Sequence, residues 1–391
     1  MINKLELYGF DAGMLSWVSS YLSNRLQCVS IDGNLSKLQH VQHGVPQGSI
    51  LGPLLYILFT NEIPEVVHNE CEANRAHASQ NTWPNFKMAC KSCGSIGCYA
   101  DDTTYTCSGS FSVALSAKLT NKYQLMSDFL VSNKLKLNDG KTHLMVMSTS
   151  QARAIRRGGS KDSSMVQITT PSKIIEPSES EQLLGCVLHQ NMKFGEHLLH
   201  SDESVLRALN KIIGALKILG KVASFRTRKM VADGIFMSKL IYLITLWGGS
   251  AKYMIVALQK AQNRAARVVT KLDWYTPTAE LLNQCGWLSV HQLVVYHSVV
   301  LVYKVIQNKS PKFLHSMFSA EYTYQTKHAR GGIIRHTRDL DLGLTASSFR
   351  WRAARSFDEL PLEIRKLETA QLFKKAAKAW IKQNIPLIPT E

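Results

Sequence analysis

Two adjacent aspartates, Asp101 and Asp102, are the residues of this chain that are best suited to chemistry. Residues 98–100 and 103–105 on either side are apolar or β-prone. Because like charges repel and Asp is a poor strand former, an ordinary fold would place such a pair in a solvated turn. Mg²⁺ offers another explanation, since it binds one or two carboxylates together with substrate phosphates. The pattern predicts the tip of a β-hairpin that presents both carboxylates to a polyphosphate.

A second motif precedes this pair, in the segment Gly44-Val45-Pro46-Gln47-Gly48-Ser49. The two glycines let the backbone approach a ligand closely, and the proline fixes the turn. An apolar helix is predicted directly afterwards, over residues 51–60. The alternative for this motif is an ordinary strand-to-helix turn with a solvent-facing Gln47.

Together, the tetrad Tyr99-Ala100-Asp101-Asp102 and the glycine-rich block resemble the reverse transcriptases of non-LTR (LINE-type) retrotransposons, particularly the jockey-like branch. The resemblance runs from Met1 to about residue 385. Further segments that are similar to family blocks follow in the family's order: residues 22–27, 29–33, 61–64, 133–142 and 183–185, the last like the primer-grip turn.

The resemblance implies a two-ion Mg²⁺ site for nucleotidyl transfer. Asp101 would bridge both ions, and Asp102 would be a supporting carboxylate. The implied substrates and partners are dNTPs, an RNA template and a DNA primer.

The resemblance also implies binding roles for residues around the carboxylates. Gln47 and Gly48 would contact the incoming nucleotide and the template. Tyr99 would pack near the primer end, although a strand aromatic in the core needs no such role. Lys141 matches a lysine near the triphosphate; the alternative is a surface lysine that follows Asp139-Gly140.

Another family carboxylate normally precedes the stretch that is seen here as residues 3–10, in a segment ending in Phe-Asp. We therefore expect an N-terminally truncated copy, without the fingers region and inactive alone. A catalytically dead nucleic-acid-binding remnant is the alternative function, and a pseudogene product without any role is the third.

The expected fold is α+β, an incomplete reverse-transcriptase palm (an antiparallel sheet with helices) followed by a mainly helical thumb and C-terminal region. We expect the partial palm over residues 1–150, with a cysteine-bearing insertion at 65–98. A linker and a primer-grip-like β segment follow at 151–195, and the helical thumb and C-terminal region at 196–391.

Local patterns predict the elements in more detail. Asp11 is the expected N-cap of a helix with Leu15 and Val18 at helical spacing, and Asp32-Gly33-Asn34 is the expected turn of a hairpin. Strands are predicted near residues 135–139 and 143–148. The predicted helices are 112–133, 197–219, 226–246, 252–272, 278–285, 289–307 and 371–384.

Four cysteines form the candidate zinc site of the insertion: Cys71, Cys90, Cys93 and Cys98. Cys90 and Cys93 have the Cys-x-x-Cys spacing of a zinc knuckle, and thiolate-bound Zn²⁺ can stabilise a polar loop that has little core. A strong zinc signal needs two such knuckles, and only one is present. Free thiols are the alternative.

Lys260, Arg264, Arg267 and Lys271 follow steps of four, three and four residues, which places them on one face of a helix. Such a basic stripe can contact a nucleic-acid backbone or can simply be a solvated face. We expect the aromatic residues nearby to lie in the core rather than to stack on bases: Trp274, Trp287, Tyr296 and Tyr303.

Composition limits the class of the protein. The 391 residues carry a formal net charge of +17, which suits nucleic acid or an anionic membrane surface as a partner. The most apolar windows are shorter than the ~18 uninterrupted apolar residues of a membrane-spanning helix, and no signal peptide is evident. We expect an intracellular protein whose eight cysteines are thiols or metal ligands; the family implies the nucleus and cytoplasm.

Overall fold

The computed structural model describes residues 1–41, 43–46, 48–68, 94–109, 112–147, 166–307, 314 and 348–389. Helices and small antiparallel sheets both occur, so the predicted α+β class is confirmed. The chain divides into two compact units. The first comprises Met1–Trp83, Lys87–Leu144 and Lys161–Pro177, and the second consists mainly of Ser178–Glu391.

The first unit combines helices with short two-stranded sheets. Its helices are α1 (Ile2–Leu7), α2 (Ala12–Leu22), α3 (Leu51–Thr60), α4 (Ile63–His68) and α5 (Ser112–Ser132), with a 3-10 turn at Asp139–Lys141. Its strands are β1 (Leu26–Gln27), β2 (Ser30–Ile31), β3 (Asn34–Leu35), β4 (Gln39–His40), β5 (Ser95–Tyr99), β6 (Asp102–Thr106), β7 (Leu144–Met145), β8 (Ile168–Thr169), β9 (Ile174–Ile175) and β10 (Pro177–Ser178). Strands β7 and β10 lie at the boundary between the two units.

Local chemistry explains where these elements begin and turn. The Asp11 side chain accepts a hydrogen bond from the Met14 amide (2.9 Å), so the predicted N-cap of α2 is confirmed. Asp32 and Gly33 both have positive φ, +49° and +83°, which is the backbone geometry of a two-residue hairpin turn between β2 and β3.

The start of the chain packs against α3. Leu5, Val18 and Leu55 form a buried cluster, and the Lys4 ammonium lies 2.9 Å from the Phe59 carbonyl oxygen and 3.2 Å from Glu62 Oε2. The structure thus joins residues 3–10 to the 61–64 segment, two regions that lie more than fifty residues apart in the sequence.

The second unit begins with a hairpin and is otherwise helical. The hairpin pairs β11 (Ser180–Leu183) with β12 (Cys186–His189). The α-helices are α6 (Val205–Leu219), α7 (Phe225–Val231), α8 (Ser238–Ile241), α9 (Ile244–Trp247), α10 (Lys252–Thr270), α11 (Thr278–Cys285), α12 (Val290–Ile306), α13 (Phe349–Asp358), α14 (Leu362–Arg365) and α15 (Ala370–Asn384), and π-helical turns occupy Glu196–His200 and Ala232–Met237.

Two hydrophobic cores hold the second unit together. The first places α6 and α10 against α11 and the start of α12, around fully buried side chains such as Leu209, Leu258 and Trp247. The second packs the rest of α12 against α13 and α15, where the rings of Tyr303 and Phe373 stack with their centroids 4.0 Å apart. Because α12 contributes to both cores, it is buried along most of its length.

Several predicted helices are interrupted. The helix predicted at 197–219 is a π turn followed by α6, because Ser204 accepts a hydrogen bond from the Arg207 amide and starts a new helix. The helix predicted at 226–246 ends near residue 241 and resumes at α9, since Leu243 adopts a left-handed conformation with φ of +54°.

Two further differences concern elements that the sequence pattern did not indicate correctly. In the described residues 135–139 no strand forms: Asn138, Asp139 and Gly140 are poor strand formers, and a 3-10 turn stands there instead. Helix α13 was not predicted, because arginines at positions 350, 352 and 355 obscure its apolar face.

Among the described helices, none is long and apolar enough to span a membrane by itself. The pair α11 and α12 reaches the required length and apolar character together, but it is bent by 49° at the break between the two helices.

Candidate active site

The two aspartates lie at the tip of a β-hairpin, as predicted. Strands β5 and β6 pair in antiparallel register from Ser95 opposite Thr106 to Tyr99 opposite Asp102. Ala100 and Asp101 form the two-residue loop, and Ala100 has a left-handed φ of +53°. Both aspartates are exposed. The tip therefore offers two adjacent carboxylates to solvent.

The body of this hairpin is anchored in the first unit. Ile96 is buried in a cluster with Ile63 and Val67 of α4 and Leu130 of α5. Partial desolvation by neighbouring atoms raises the pKa of the Cys98 thiol, and the Thr103 hydroxyl donates a hydrogen bond to its sulfur (3.9 Å), which partly offsets that rise. The apolar half of the hairpin thus fixes the position from which the charged tip projects.

Helix α3 places Tyr56 within electrostatic reach of Asp101. Burial raises the pKa of the Tyr56 phenol, and the negative charge of Asp101 raises it further. This electrostatic interaction links Asp101 to the helix that follows the glycine-rich block directly. Tyr56 was not predicted as a site residue; its only signal was its place in the apolar helix after that block.

The glycine-rich block itself turns sharply at its two glycines. Gly44 and Gly48 have φ of +80° and +81°, a conformation that other residues rarely adopt. The Arg25 guanidinium donates to the Gly44 carbonyl oxygen at 2.6 Å and ties the block to the preceding hairpin. Gly48 is exposed, and Gln47 lies outside the described residues.

Tyr99 lies on the surface rather than in the core, with 68% of its area exposed, directly opposite Asp102. The core-strand alternative for this residue is therefore wrong. Its packing near the primer end stays a prediction.

Lys141 is exposed at the end of the 3-10 turn. The turn is held by its first residue, Asp139, which accepts hydrogen bonds from the hydroxyls of Ser172, Tyr123 and Thr170. These bonds, those of Ser172 and Tyr123 foremost, hold the pKa of the Asp139 carboxyl below its usual value. The proximity of Lys141 to a triphosphate stays a prediction.

Cys71, Cys90 and Cys93 lie outside the described residues, so the zinc site stays a prediction. Cys98 occupies strand β5 and is exposed. In the part of the chain that the structure describes, no group of three or more His, Cys, Asp or Glu side chains is arranged to hold a metal ion.

The predicted basic stripe lies on α10 and its C-cap. Lys260, Arg264 and Lys271 are exposed. Arg267 instead is partly buried and donates to the Trp274 carbonyl oxygen at 2.9 Å. Three of the four cations therefore face solvent, whereas the fourth holds the loop that follows the helix.

The aromatic residues near this stripe differ in burial. Trp287 and Tyr303 are buried, as expected, and Tyr296 is partly buried. Trp274 is not in the core: 70% of its surface is exposed, and so is 94% of Tyr275. The reason is local, because these residues lie between the end of α10 and Pro277, in a loop that the helical pattern does not cover.

The segment similar to the primer-grip turn is the loop of the β11–β12 hairpin. Leu184 and Gly185 have φ of +48° and +76° between the paired residues Leu183 and Cys186. The Tyr242 hydroxyl donates to the Leu184 carbonyl oxygen at 2.6 Å and fixes the turn against the helical part of the second unit.

Comparison with known proteins gives a consistent result. Residues 2–188 match the family model described as reverse transcriptase (RNA-dependent DNA polymerase). The chain is 23% identical over 299 residues to the "Probable RNA-directed DNA polymerase from transposon BS" of Drosophila melanogaster, an alignment that covers 76% of this chain and 30% of the relative.

Two further relatives are the RNA-directed DNA polymerases from mobile element jockey. The protein of Drosophila funebris is 23% identical over 270 residues, and that of Drosophila melanogaster 20% identical over 264 residues. Each alignment covers 68% of this chain and 26% of the relative, so the chain spans less than a third of the length of these curated relatives. These matches support a reverse transcriptase domain of the non-LTR retrotransposon type over residues 2–188.

Proposed function

We propose that this chain is the palm and thumb part of an RNA-directed DNA polymerase, with the palm in the first unit and the thumb in the helices of the second. The observation that carries the proposal is the position of Asp101 and Asp102. They lie at an exposed hairpin tip, close enough to α3 for the charge of Asp101 to raise the pKa of Tyr56. Two adjacent carboxylates at such a tip suit a reaction of polyphosphates.

The carboxylates fit one divalent cation. Both are exposed and adjacent, and their hard oxygen atoms are ligands that Mg²⁺ prefers. When bound, the ion would offset the negative charge of a nucleoside triphosphate and favour attack at its α-phosphate. The described residues do not supply a third carboxylate to this site, so they fit the two-ion arrangement only in part.

The remaining residues of the site would bind and orient the substrates. Gly44 and Gly48 allow the backbone of the block to approach a nucleotide. Gln47, which lies between them in the sequence, would contact the nucleotide and the template. Tyr99 would support the primer end, and Lys141 would approach the triphosphate. The substrates would be dNTPs, with an RNA template and a DNA primer as partners, in keeping with the relatives' names.

We further propose that the 391-residue chain does not extend a primer by itself. Since the described residues supply only two carboxylates to this site, the transition state would lose several kcal/mol of stabilisation relative to a two-ion site, which is orders of magnitude in rate. The test is primer extension on an RNA template with Mg²⁺ and dNTPs, beside an Asp101→Ala control. We expect equal, background incorporation from both. Extension by the natural chain above that control would overturn this part of the proposal.

A second candidate is a nucleic-acid-binding remnant without catalysis. The exposed cations of α10 and the formal net charge of +17 favour it. Binding to a short oligonucleotide should weaken steeply with salt because each phosphate contact releases counterions. Tight binding without extension would support this candidate, and binding that does not depend on salt would contradict it.

A further inference from the structure

The loop that follows α10 exposes two consecutive aromatic rings. Trp274 and Tyr275 leave 70% and 94% of their surfaces open. The proposed carboxylate site does not include them, and the hydrophobic effect disfavours the exposure of such large apolar rings. Their surroundings indicate which kind of partner would cover them.

One arginine anchors the loop. Arg267 Nη2 donates to the Trp274 carbonyl oxygen at 2.9 Å, and the guanidinium lies 4.7 Å from the centre of the Trp274 ring. One face of the indole is thereby occupied by a cation, while most of its area remains accessible. A flat aromatic surface that is fixed in place and open on one side suits stacking with another planar group.

The loop also lies at the end of a row of exposed cations. Lys260, Arg264 and Lys271 lead to it along α10, over a distance of about 16 Å at ~1.5 Å per residue. Arg264 Nη2 donates to Asn210 Oδ1 of α6 at 2.8 Å, which places the neighbouring helix beside this row. Lys217 lies two turns beyond Asn210 on the same face of α6 and is also exposed.

We propose that this surface binds unpaired nucleic acid, with phosphates on Lys260, Arg264 and Lys271 and a base stacked on Trp274. Aromatic rings beside a cationic track are the arrangement by which proteins bind single strands without sequence preference. Asp273 is the acidic residue of the loop, and the cations of α10 outnumber it. This proposal rests on the proposed function only in taking nucleic acid as the class of partner.

Base stacking and phosphate contacts would involve different residues, so the two can be tested separately. The Trp274 backbone carbonyl accepts the hydrogen bond from Arg267, so Trp274→Ala keeps this bond and removes only the contact between the guanidinium and the ring. Tyr253→Ala is the matched control, since Tyr253 is also an exposed aromatic residue (57%) but lies in the first turn of α10, at the opposite end from the loop.

The experiment measures the fluorescence anisotropy of two fluorescein-labelled probes of twelve nucleotides over a range of salt concentrations. One probe is oligo(dT), and the other is an abasic strand with the same number of phosphates. Trp274→Ala should weaken oligo(dT) binding about tenfold at unchanged salt dependence and should leave the abasic probe unaffected. Trp274→Phe should restore most of the loss. Lys260→Gln/Arg264→Gln should weaken both probes and reduce the salt slope by roughly 1.4, because two phosphate contacts are lost.

The outcomes are distinguishable. If the natural chain binds neither probe, nucleic-acid binding by this surface and the stacking site are both overturned, while the carboxylate site is untouched. If both probes bind and Trp274→Ala behaves like Tyr253→Ala, only the stacking site is overturned. A loss of oligo(dT) binding with Trp274→Ala but not with Tyr253→Ala, at an unchanged thermal midpoint, supports it.

Discussion

Asp139 shows how a carboxylate can serve the fold rather than the reaction. It follows α5 in the sequence and accepts hydrogen bonds from three hydroxyl groups, which come from α5 and from the segment around residue 170. Asp101 and Asp102 have no such hydroxyl partners among the bonds of the described residues, and they remain exposed. Partners, more than residue type, separate the structural acid from the candidate catalytic acids.

The Asp139→Asn substitution should make the free energy of unfolding of the first unit depend less on pH in the acid range. Hydrogen bonds from Ser172, Tyr123 and Thr170 lower the pKa of Asp139 in the folded state below 3.8. Its contribution is therefore complete above that value and is lost as the pH falls through the lower, folded-state pKa. Urea unfolding at a series of pH values between about 3 and 7 checks this, with Asp128→Asn as control.

The variant should lower the urea midpoint at neutral pH and bring the natural and variant midpoints together toward the acid end. Asp128 is exposed on α5 and bonds to Gln124, so its variant should follow the natural curve. A constant difference between the Asp139→Asn and natural midpoints across the whole range would contradict the assignment.

At the scale of residues, the site was predictable where chemistry constrains type and spacing together. The apolar and β-prone residues on either side of the aspartate pair were sufficient to predict its place at a hairpin tip. Tyr56 and Trp274 were not predictable, because their roles depend on which helix faces the tip and on where α10 ends. The surfaces of both are set by tertiary contacts that periodicity does not encode.

Helix α10 is connected to its neighbours by buried amides. The Gln259 side chain accepts a hydrogen bond from the Val290 amide at 2.8 Å, and Gln262 donates to the Leu288 carbonyl oxygen at 2.9 Å. Both glutamines are buried, at 4% and 0% exposure. Since Val290 is the first residue of α12, Gln259 provides a partner for a helix-start amide that the helix itself cannot satisfy.

Gln259→Leu should destabilise the second unit by about 2 kcal/mol, because the Val290 amide would stay buried without a partner. Lys260→Gln, an exposed substitution at the next position, should change the free energy of unfolding by less than about 0.5 kcal/mol. Urea unfolding of the two variants beside the natural chain measures the difference. Equal stabilities for both variants would show that this amide finds another partner.

At the scale of elements, strong and long patterns were predicted well and their interruptions were not. Helix α11 has the predicted bounds, and α10 and α12 differ from prediction by one or two residues. Helices α10 and α11 each have an apolar stripe and end at a residue with left-handed backbone, Lys271 and Gly286, whereas α12 begins at the capping box of Ser289. The break at Leu243 was missed: its left-handed conformation is stabilised by packing, and the Trp247 indole donates to the Tyr242 carbonyl oxygen at 2.9 Å across the bend.

Each of the two compact units has cores of its own, and the second unit is mainly one continuous stretch of chain, from Ser178 to the C-terminus. Its two clusters bury a large number of apolar side chains, enough for a domain of this size to fold independently. The clusters of the first unit are smaller.

The fragment 178–391 should therefore fold without the remainder of the chain. We expect a single cooperative thermal transition by circular dichroism, together with a helical spectrum at 25 °C. Leu258→Ala within the same fragment should lower its midpoint, since Leu258 is fully buried and its truncation costs about 2–5 kcal/mol. A fragment that melts without cooperativity would show that its cores need the first unit.

For the molecule as a whole, the hairpin tip of the first unit is the proposed binding site for a divalent cation. Mn²⁺ is a paramagnetic stand-in for Mg²⁺ with the same preference for oxygen ligands. Its binding can be followed by electron paramagnetic resonance during a titration of the protein, in the presence of a dNTP. The variant is Asp101→Asn/Asp102→Asn, and the charge-matched control is Glu6→Gln/Asp128→Asn, which removes two exposed acids from the same unit.

We predict that the natural chain and the control bind Mn²⁺ equally and that the Asp101→Asn/Asp102→Asn chain loses this binding by a factor of ten or more, at about 1.4 kcal/mol per tenfold change. Equal Mn²⁺ binding by all three proteins would contradict the assignment of these two aspartates as the cation site.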